Sequence, residues 1–312
     1  MIPEYSIVTS LYRSERYIAE FHRRVTETLG KMGISSYEIV FVNDGSPDRS
    51  REIALELFKT DPHVVLVDLS RNFGHHKALM VGLDHARGKR VFLLDADLEE
   101  DPELLVQLAA EMDSRGCDVV FGVQAIRRGG WFDRVTGSLY YSLMNIMSGI
   151  KFPRNVLTLR LMTRRYVDSL LLHRERELLI SGIWHLTGYE QIALPVVKHK
   201  LNQTTYPVHK RIALVVTSVI AFSDRPLRGI FYFGLGILFF ALIYMAYNLA
   251  TYILSGGAVS GYASLILSIW LIGGLNFLFL GIIGMYVATI FSETKQRPYA
   301  IVRDIFRHTN PT

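Results

Sequence analysis

Two long apolar segments constrain this chain more than any other feature. Gly229–Leu254 and Ala263–Phe291 contain no charged residue, and each exceeds the roughly 20 residues that an α-helix needs to cross a bilayer. The linker between them, Ser255–Tyr262, is short and also uncharged. We therefore expect a hairpin of two transmembrane helices rather than a pair of helices buried in a soluble core.

Basic residues flank this hairpin on both sides. They are Lys210, Arg211, Arg225 and Arg228 before it, and Lys295, Arg297, Arg303 and Arg307 after it. Because cytoplasmic segments next to membrane helices carry an excess of Lys and Arg, both ends of the hairpin are expected in the cytoplasm. The sequence therefore predicts a multi-pass inner-membrane protein, in contact with the lipid bilayer, with its main domain and both termini cytoplasmic.

Charge and cysteine content limit the partners. The net charge of +5 suits a membrane surface or a phosphorylated ligand, and no nucleic-acid partner is expected because no aromatic–basic stripe stands out. Cys117 is the only cysteine, so no internal disulfide is possible, and its apolar neighbours predict a buried thiol. The first residues lack the basic-then-apolar pattern of a signal peptide.

Before Gly229 the chain alternates short apolar runs with amphipathic stretches. The predicted strands are Tyr5–Thr9, Glu38–Val42, Val64–Leu69, Arg90–Leu94 and Asp118–Val123. The stretches between them include Tyr17–Leu29 and Ser50–Lys59, which have helical spacing of apolar residues. This alternation predicts an α/β domain with a Rossmann-like, mostly parallel sheet and crossover helices.

The fourth predicted strand ends in two acids one residue apart, Asp95 and Asp97. Side chains alternate along a strand, so the two carboxylates point the same way if the extended backbone continues. Clustered carboxylates repel each other unless a cation or a proton lies between them. Mg²⁺ or Mn²⁺, itself holding phosphate oxygens, fits such a pair, whereas solvated loop aspartates with a helix-capping role are the alternative.

The region before the hairpin is less regular. Val208–Phe222 begins with two basic residues and continues with apolar residues at helical spacing, which predicts an amphipathic helix at the membrane surface, with an ordinary core helix as the alternative. The predicted organisation is a main domain over 1–207, this juxtamembrane helix over 208–228, two transmembrane helices over 229–291 and a cytoplasmic tail over 292–312.

Several motifs, in this order, carry a family resemblance. They are Phe41-Val42-Asn43-Asp44-Gly45-Ser46, Leu69-Ser70-Arg71-Asn72-Phe73-Gly74-His75, Asp95-Ala96-Asp97-Leu98 with Asp101-Pro102-Glu103, Arg160-Leu161-Met162 and Arg297-Pro298-Tyr299. Followed by two apolar spans, they make the chain resemble the polyprenyl-phosphate glycosyltransferases, the dolichol-phosphate-mannose-synthase-like branch of glycosyltransferase family 2. The resemblance implies a GT-A fold for the α/β domain.

The resemblance also implies roles for individual residues. The implied donor-binding residues are Tyr12, Asp44, Arg71, Lys77 and Asp95, the metal ligands are Asp95, Asp97 and Glu99, and the catalytic residues are Asp97, Asp95 and Arg160. Arg71 and Lys77 have an ordinary surface charge as their alternative role. His75 and His76 are interpreted as surface or helix-start residues rather than as metal ligands.

Three arginines after the fifth strand, Arg127, Arg128 and Arg134, are predicted to bind the acceptor phosphate, with a solvated basic loop as the alternative. Thr158 marks a departure from the family pattern, because relatives often carry an acidic or small polar residue two positions before the arginine that corresponds to Arg160. The identity of any general base is therefore open.

The function implied by the resemblance is inverting transfer of a single sugar from a nucleotide sugar to a polyprenyl (undecaprenyl) phosphate. A UDP-linked hexose or N-acetylhexosamine is the favoured donor, and modification of a cell-surface glycan such as O-antigen or lipopolysaccharide is the expected purpose. A processive membrane polysaccharide synthase and a non-catalytic scaffold or flippase partner are the alternatives. Homo-oligomerisation is left open.

Overall fold

The computed structural model describes residues 2–124, 156–175, 180–199, 225–255 and 261–308. The chain forms two compact units. The first, which we call the sheet unit, comprises residues 1–135, 152–205 and 297–312. The second, the helical unit, comprises residues 136–151 and 206–296.

The sheet unit is built from strands and helices that alternate along the chain. The strands are β1 (Tyr5–Leu11), β2 (Tyr37–Asn43), β3 (Val64–Leu69), β4 (Arg90–Leu93), β5 (Val119–Gln124), β6 (Val156–Thr163), β7 (Gln191–Val196) and β8 (Val302–Phe306). The helices are α1 (Ile18–Lys31), α2 (Ser50–Thr60), α3 (His75–His85), α4 (Leu104–Arg115), α5 (Arg164–Leu170) and α6 (Ile180–Leu186). All five predicted strands are confirmed to within two residues at each end.

The strands form one sheet in the order β7-β5-β6-β4-β1-β2-β3-β8. Strands β1 to β4 are parallel to their neighbours among themselves, and β5 pairs in parallel with β7. The sheet is nevertheless mixed, because β6 runs antiparallel to both β4 and β5, and β8 runs antiparallel to β3. Six of the eight strands run in one direction, so the predicted α/β domain is confirmed and its sheet is mixed.

Apolar side chains cover both faces of the sheet. On one face the strands pack against α1 and α4, with Phe21 and Leu108 fully buried. On the other face they pack against α3, α5 and α6, with Leu79 and Ile183 fully buried. Strands buried on both faces read as continuous apolar runs, which is why their sequences predicted them so clearly.

The eighth strand lies where the sequence predicted a cytoplasmic tail. Val302–Phe306 pairs with β3 and extends the sheet at that edge. Ser70 donates a backbone hydrogen bond of 2.9 Å to the carbonyl of Ile301, which continues this pairing. The segment after the apolar helices is thus part of the sheet unit.

The described part of the helical unit consists of two long helices, α7 (Arg225–Ser255) and α8 (Tyr262–Thr294). Their Phe233 and Phe279 rings meet edge to face with centroids 6.0 Å apart. Ile272–Thr294 is long and apolar enough, by length and composition, to cross a membrane. The predicted amphipathic helix Val208–Phe222 lies outside the described residues.

Candidate functional site

The candidate site lies at the edge of the sheet where β1 to β4 end. Because these strands are parallel neighbours, the segments that follow them meet at this edge. The chain progresses outward from β1 through β2 to β3, whereas β4 lies on the other side of β1. Ligands of open α/β sheets bind at such a reversal of strand order.

Asp95, directly beyond β4, is held as a carboxylate. Its side chain is 21% exposed, and His75 Nε2 lies 3.3 Å from its Oδ1. This is an ion-pair contact without hydrogen-bond geometry, so the buried Oδ1 makes no hydrogen bond. Burial opposes ionisation, but His75, Lys198 and the Thr158 side chain hold the pKa of Asp95 below its ordinary value. Asp95 Oδ1 is therefore a buried acceptor that lies against the His75 ring without a hydrogen-bond donor.

His75, the first residue of α3, joins β1 to this carboxylate. Its Nδ1 lies 2.9 Å from Ser10 Oγ. Burial lowers the pKa of the imidazole, but Asp95, Asp44 and Asp97 together raise it above its ordinary value. The prediction of a surface or helix-start residue is confirmed for His75. Its contact with Asp95 was not predicted, because that contact depends on segments distant in sequence meeting in space.

An ammonium group balances the acids that follow. Lys198 Nζ lies 3.0 Å from Glu99 Oε2 and 3.1 Å from Glu100 Oε1. Asp97 Oδ1 accepts a hydrogen bond of 3.0 Å from the Glu99 amide. Burial, and to a smaller extent the charges of Asp95 and Glu99, raise the pKa of Asp97. Lys198 lies just beyond β7, and the structure places its side chain against this acidic loop.

The predicted metal ligands are only partly brought together. Among the described residues there is no group of three or more His, Cys, Asp and Glu side chains arranged to hold a metal ion. Asp95 and Asp97 fit a hard cation because they supply carboxylate oxygens and because Asp95 Oδ1 is buried without a hydrogen bond. Glu99 fits less well, since its carboxylate is paired with Lys198.

The turn after β2 is fastened to the loop after β3. Both oxygens of Asp44 accept backbone hydrogen bonds, 2.7 Å from the Phe73 amide and 3.0 Å from the Gly74 amide. Asp44 is 1% exposed, and its burial raises the pKa of the carboxyl. The structure therefore gives Asp44 a bracing contact, and its contact with a nucleotide base stays a prediction.

The other predicted donor-binding residues line the same edge. Tyr12 is 45% exposed just beyond β1, and the Arg13 guanidinium lies 5.7 Å from the centroid of its ring. Arg71 is exposed beyond β3, with its guanidinium 4.1 Å from the Phe73 ring centroid. Lys77 is partly exposed on α3. All three side chains can be reached from solvent, and their donor-binding roles stay predictions.

Arg160 lies in the core instead. It is 1% exposed, and its guanidinium stacks 3.0 Å from the ring centroid of Trp184 on α6. Burial lowers its pKa to about 9. In the described part of the chain no carboxylate forms an ion pair with it. This environment makes Arg160 a packing residue of the β6–α6 contact, and its catalytic role stays a prediction.

The three predicted acceptor-phosphate residues, Arg127, Arg128 and Arg134, lie outside the described residues. Their role in binding the acceptor phosphate therefore stays a prediction.

Comparison with known proteins adds a family match. The model of the family described as "Glycosyl transferase family 2" matches residues 6–171. A protein of Mycobacterium tuberculosis named "Putative glycosyltransferases" is 44% identical over 96% of this chain and 88% of its own length. The "Prophage bactoprenol glucosyl transferase homolog" of Escherichia coli is 34% identical over 96% of this chain and 98% of its own. The "Bactoprenol glucosyl transferase" of Shigella phage SfV is 32% identical over the same two shares.

Proposed function

Because this chain belongs to glycosyltransferase family 2, we propose that it transfers a single sugar from a nucleotide sugar to a polyprenyl phosphate, with undecaprenyl phosphate as the acceptor. The proposal follows the names of two relatives, which are bactoprenol glucosyl transferases or their homologues and resemble this chain over nearly its whole length. The proposed donor is a UDP-linked hexose or N-acetylhexosamine, and the proposed stereochemical outcome is inversion.

The observation that carries this proposal is the placement of Asp95 and Asp97 at the reversal of strand order. They lie at the carboxyl end of β4 and next to β1, and Asp95 Oδ1 is buried without a hydrogen bond. A nucleotide diphosphate bound at this edge would lie beside both acids, with the exposed Arg71 and the partly exposed Lys77 at the same edge. Arginine and lysine donate charge-assisted hydrogen bonds to phosphate oxygens.

In this proposal Asp95 and Asp97 would hold Mg²⁺ or Mn²⁺ at the donor diphosphate. Such a cation would supply neutralisation of the negative charge that develops on the leaving diphosphate. The chain contributes the ionised state of Asp95, which His75 and Thr158 stabilise. It also contributes Lys198, whose charge limits repulsion among the neighbouring acids.

The acceptor requires little help from a general base. A phosphate monoester has its second pKa near 6 and is mostly dianionic at neutral pH. Thr158 occupies the position where relatives often carry an acidic or small polar residue, and its side chain helps to stabilise the Asp95 carboxylate. Orientation of the acceptor oxygen toward the sugar would then provide most of the rate enhancement.

The apolar helices support a membrane location for this reaction. Large apolar side chains are exposed along both, including Phe231 and Phe240 on α7 and Phe277 and Leu280 on α8. Contact of such apolar surfaces with water is unfavourable, whereas contact with lipid is favourable. We propose that both helices cross the inner membrane and hold the sheet unit at its cytoplasmic face, where Arg127, Arg128 and Arg134 would contact the acceptor phosphate.

The test is incubation of the purified full-length protein with undecaprenyl phosphate and a panel of UDP- and GDP-sugars, followed by mass spectrometry of the lipid. We expect one sugar to be added per lipid from one donor of the panel. A ladder of products would favour a processive synthase, and the absence of any lipid product across the panel would contradict the proposal.

Asp97→Ala tests the role of the acidic pair in the same assay. We expect transfer to fall by at least about a thousandfold, because charge neutralisation at the leaving group is among the largest contributions to such reactions. Extraction from membranes and yield should remain those of the wild type. Chelation by EDTA should abolish wild-type transfer, and added Mg²⁺ or Mn²⁺ should restore it. Full activity of Asp97→Ala would exclude the proposed role.

A further inference from the structure

We propose that Arg303, on the strand that follows the apolar helices, is a positioning residue for the turn Asn43–Ser46, and that it acts through Asp68. The claim for catalysis rests on the proposed function, because that turn is expected to contact the nucleotide. The claim for structure rests on contacts within the sheet unit alone. Strand β8 would then complete the donor site from the far end of the chain.

Asp68 is the centre of this arrangement. Its side chain is completely buried in β3, where an ionised carboxylate is tolerated only when it is paired. It accepts hydrogen bonds from Asn43 Nδ2 at 2.8 Å and from Arg51 Nε at 2.6 Å. Arg303 supplies the remaining contacts, with Nε at 3.2 Å and Nη2 at 2.5 Å from Oδ2. Burial opposes ionisation, but these three partners hold the pKa of Asp68 below its ordinary value.

Asn43 carries the effect to the turn. While its Nδ2 donates to Asp68, its Oδ1 accepts a hydrogen bond of 3.2 Å from the Ser46 amide. Ser46 Oγ in turn accepts one of 2.8 Å from the Arg13 amide, next to Tyr12. The orientation of a single side-chain amide therefore links Asp68 to the segments that follow β1 and β2.

Strand β8 fixes Arg303 at this point. Asp68 lies opposite Asp304 in the antiparallel pairing of β3 with β8, and the register shifts after this pair. Without Arg303, the buried Asp68 carboxylate would lose one of its two cationic partners. Its hydrogen bonds with Arg51 and Asn43 would then rearrange. A looser Asn43 would leave the Ser46 amide without its acceptor for part of the time.

The residue that directly follows strand β8 provides a matched control. Arg307 is a second arginine that ties β8 to the sheet, with Nη1 at 2.5 Å from Glu38 Oε2 and Nη2 at 2.6 Å from the His85 carbonyl. Glu38 lies near the beginning of β2, whereas the turn follows its end. Loss of Arg307 should therefore weaken the attachment of β8 without a direct effect on the turn.

The experiment compares Arg303→Ala, Arg303→Lys and Arg307→Ala in the full-length protein. Hydrogen exchange of the segment 43–46 is measured first, because it does not depend on any activity. We expect Arg303→Ala to accelerate exchange there by about tenfold, Arg307→Ala to leave it near the wild-type rate, and Arg303→Lys to restore part of the protection. Equal exchange in Arg303→Ala and wild type would overturn the proposal, as would equal acceleration in Arg307→Ala.

Kinetics then test the consequence for the reaction. We expect Arg303→Ala to raise the KM for the nucleotide sugar by about fivefold, with a smaller change in kcat and in the KM for the lipid. Arg307→Ala should leave the donor KM unchanged. If the wild type transfers no sugar, the proposed function fails while the exchange result still decides the structural claim. If exchange responds and the donor KM does not, the positioning role in catalysis is overturned.

Discussion

Lys198 concentrates the electrostatic balance of the candidate site in one ammonium group. It contacts Glu99 and Glu100 directly, and its charge also helps to lower the pKa of Asp95 and opposes the rise in the pKa of Asp97. Acids this close in sequence would otherwise repel each other and favour protonation. The segment that leaves β7 is therefore tied electrostatically to the loop that leaves β4.

Glu100 leads to a prediction about pH. It is 1% exposed, its Oε2 makes no hydrogen bond, and burial, followed by the charge of Asp95, raises its pKa to about 7. This folded-state pKa exceeds the ordinary glutamate pKa. At pH values between the two, the folded state therefore binds more protons than the unfolded state. The contribution of Glu100 to stability is therefore present at low pH and is lost as the pH rises toward 7.

Glu100→Gln should remove that dependence. Between roughly pH 5 and pH 8 we expect the wild type to lose on the order of 2 kcal/mol more stability than the variant, since one pKa unit corresponds to about 1.4 kcal/mol. Thermal unfolding in detergent across this range would measure it. Glu27→Gln is the control, because its carboxylate is 48% exposed. Parallel pH curves for wild type and Glu100→Gln would contradict the prediction.

Single residues were predictable when the signal was local. Asp95 and Asp97 end an apolar strand one residue apart, and this spacing alone placed them at the sheet edge. His75 and Lys198 gave no comparable signal, because their contacts with the acids join segments that are distant in sequence. Arg160 was assigned a role from the family resemblance, yet its environment is set by Trp184 on a later helix.

At the scale of elements, the turn between β2 and α2 is the most tightly constrained segment of the site. Gly45 has a φ of +57°, and a Cβ placed there would lie 2.5 Å from the Arg71 carbonyl carbon and from the Asn72 amide nitrogen. Both obstacles are backbone atoms of the loop after β3. The two segments can approach this closely only because residue 45 has no side chain.

Gly45→Ala should therefore separate the two segments. We expect a loss of on the order of 2 kcal/mol in unfolding free energy, from backbone strain and the displaced loop, and weaker nucleotide binding. Denaturant unfolding and titration with UDP would measure the two effects. Gly30→Ala is the matched control, since its Cβ would meet nothing within 4 Å, and it should gain about 0.5 kcal/mol of helix stability. Wild-type stability of Gly45→Ala would contradict this account.

Elements were predictable to the extent that burial shaped their sequences. Strands β1 to β5 are rich in apolar residues because both of their faces are covered. The edge strand β8 exposes Arg303 and Asp304, so its short sequence carries no such run. Its place beside β3 is fixed by partners that include Asp68, 235 residues earlier in the chain. Local pattern cannot reveal a pairing of that separation.

At the scale of the whole molecule, the sheet itself limits the membrane topology. Strand β7 ends at Val196 and strand β8 begins at Val302, and both belong to one sheet. A sheet lies on one side of a membrane, so the chain between these strands crosses the bilayer an even number of times. If α8 crosses, a second crossing is required, and we propose α7 for it because Gly229–Leu254 carries no charged residue.

Cysteine labelling can test on which side of the membrane each end of α8 lies. Cys117 is 3% exposed, so the wild-type protein should give a low background with a membrane-impermeant maleimide. We expect Gly261→Cys, at the start of α8, to be labelled from outside intact cells. The Asp304 side chain on β8 is 50% exposed, and Asp304→Cys should be labelled only in inverted membrane vesicles. Labelling of both positions from the same side would mean that α8 does not separate them across a bilayer, and the sheet unit would then have to reach its lipid acceptor without a transmembrane hairpin.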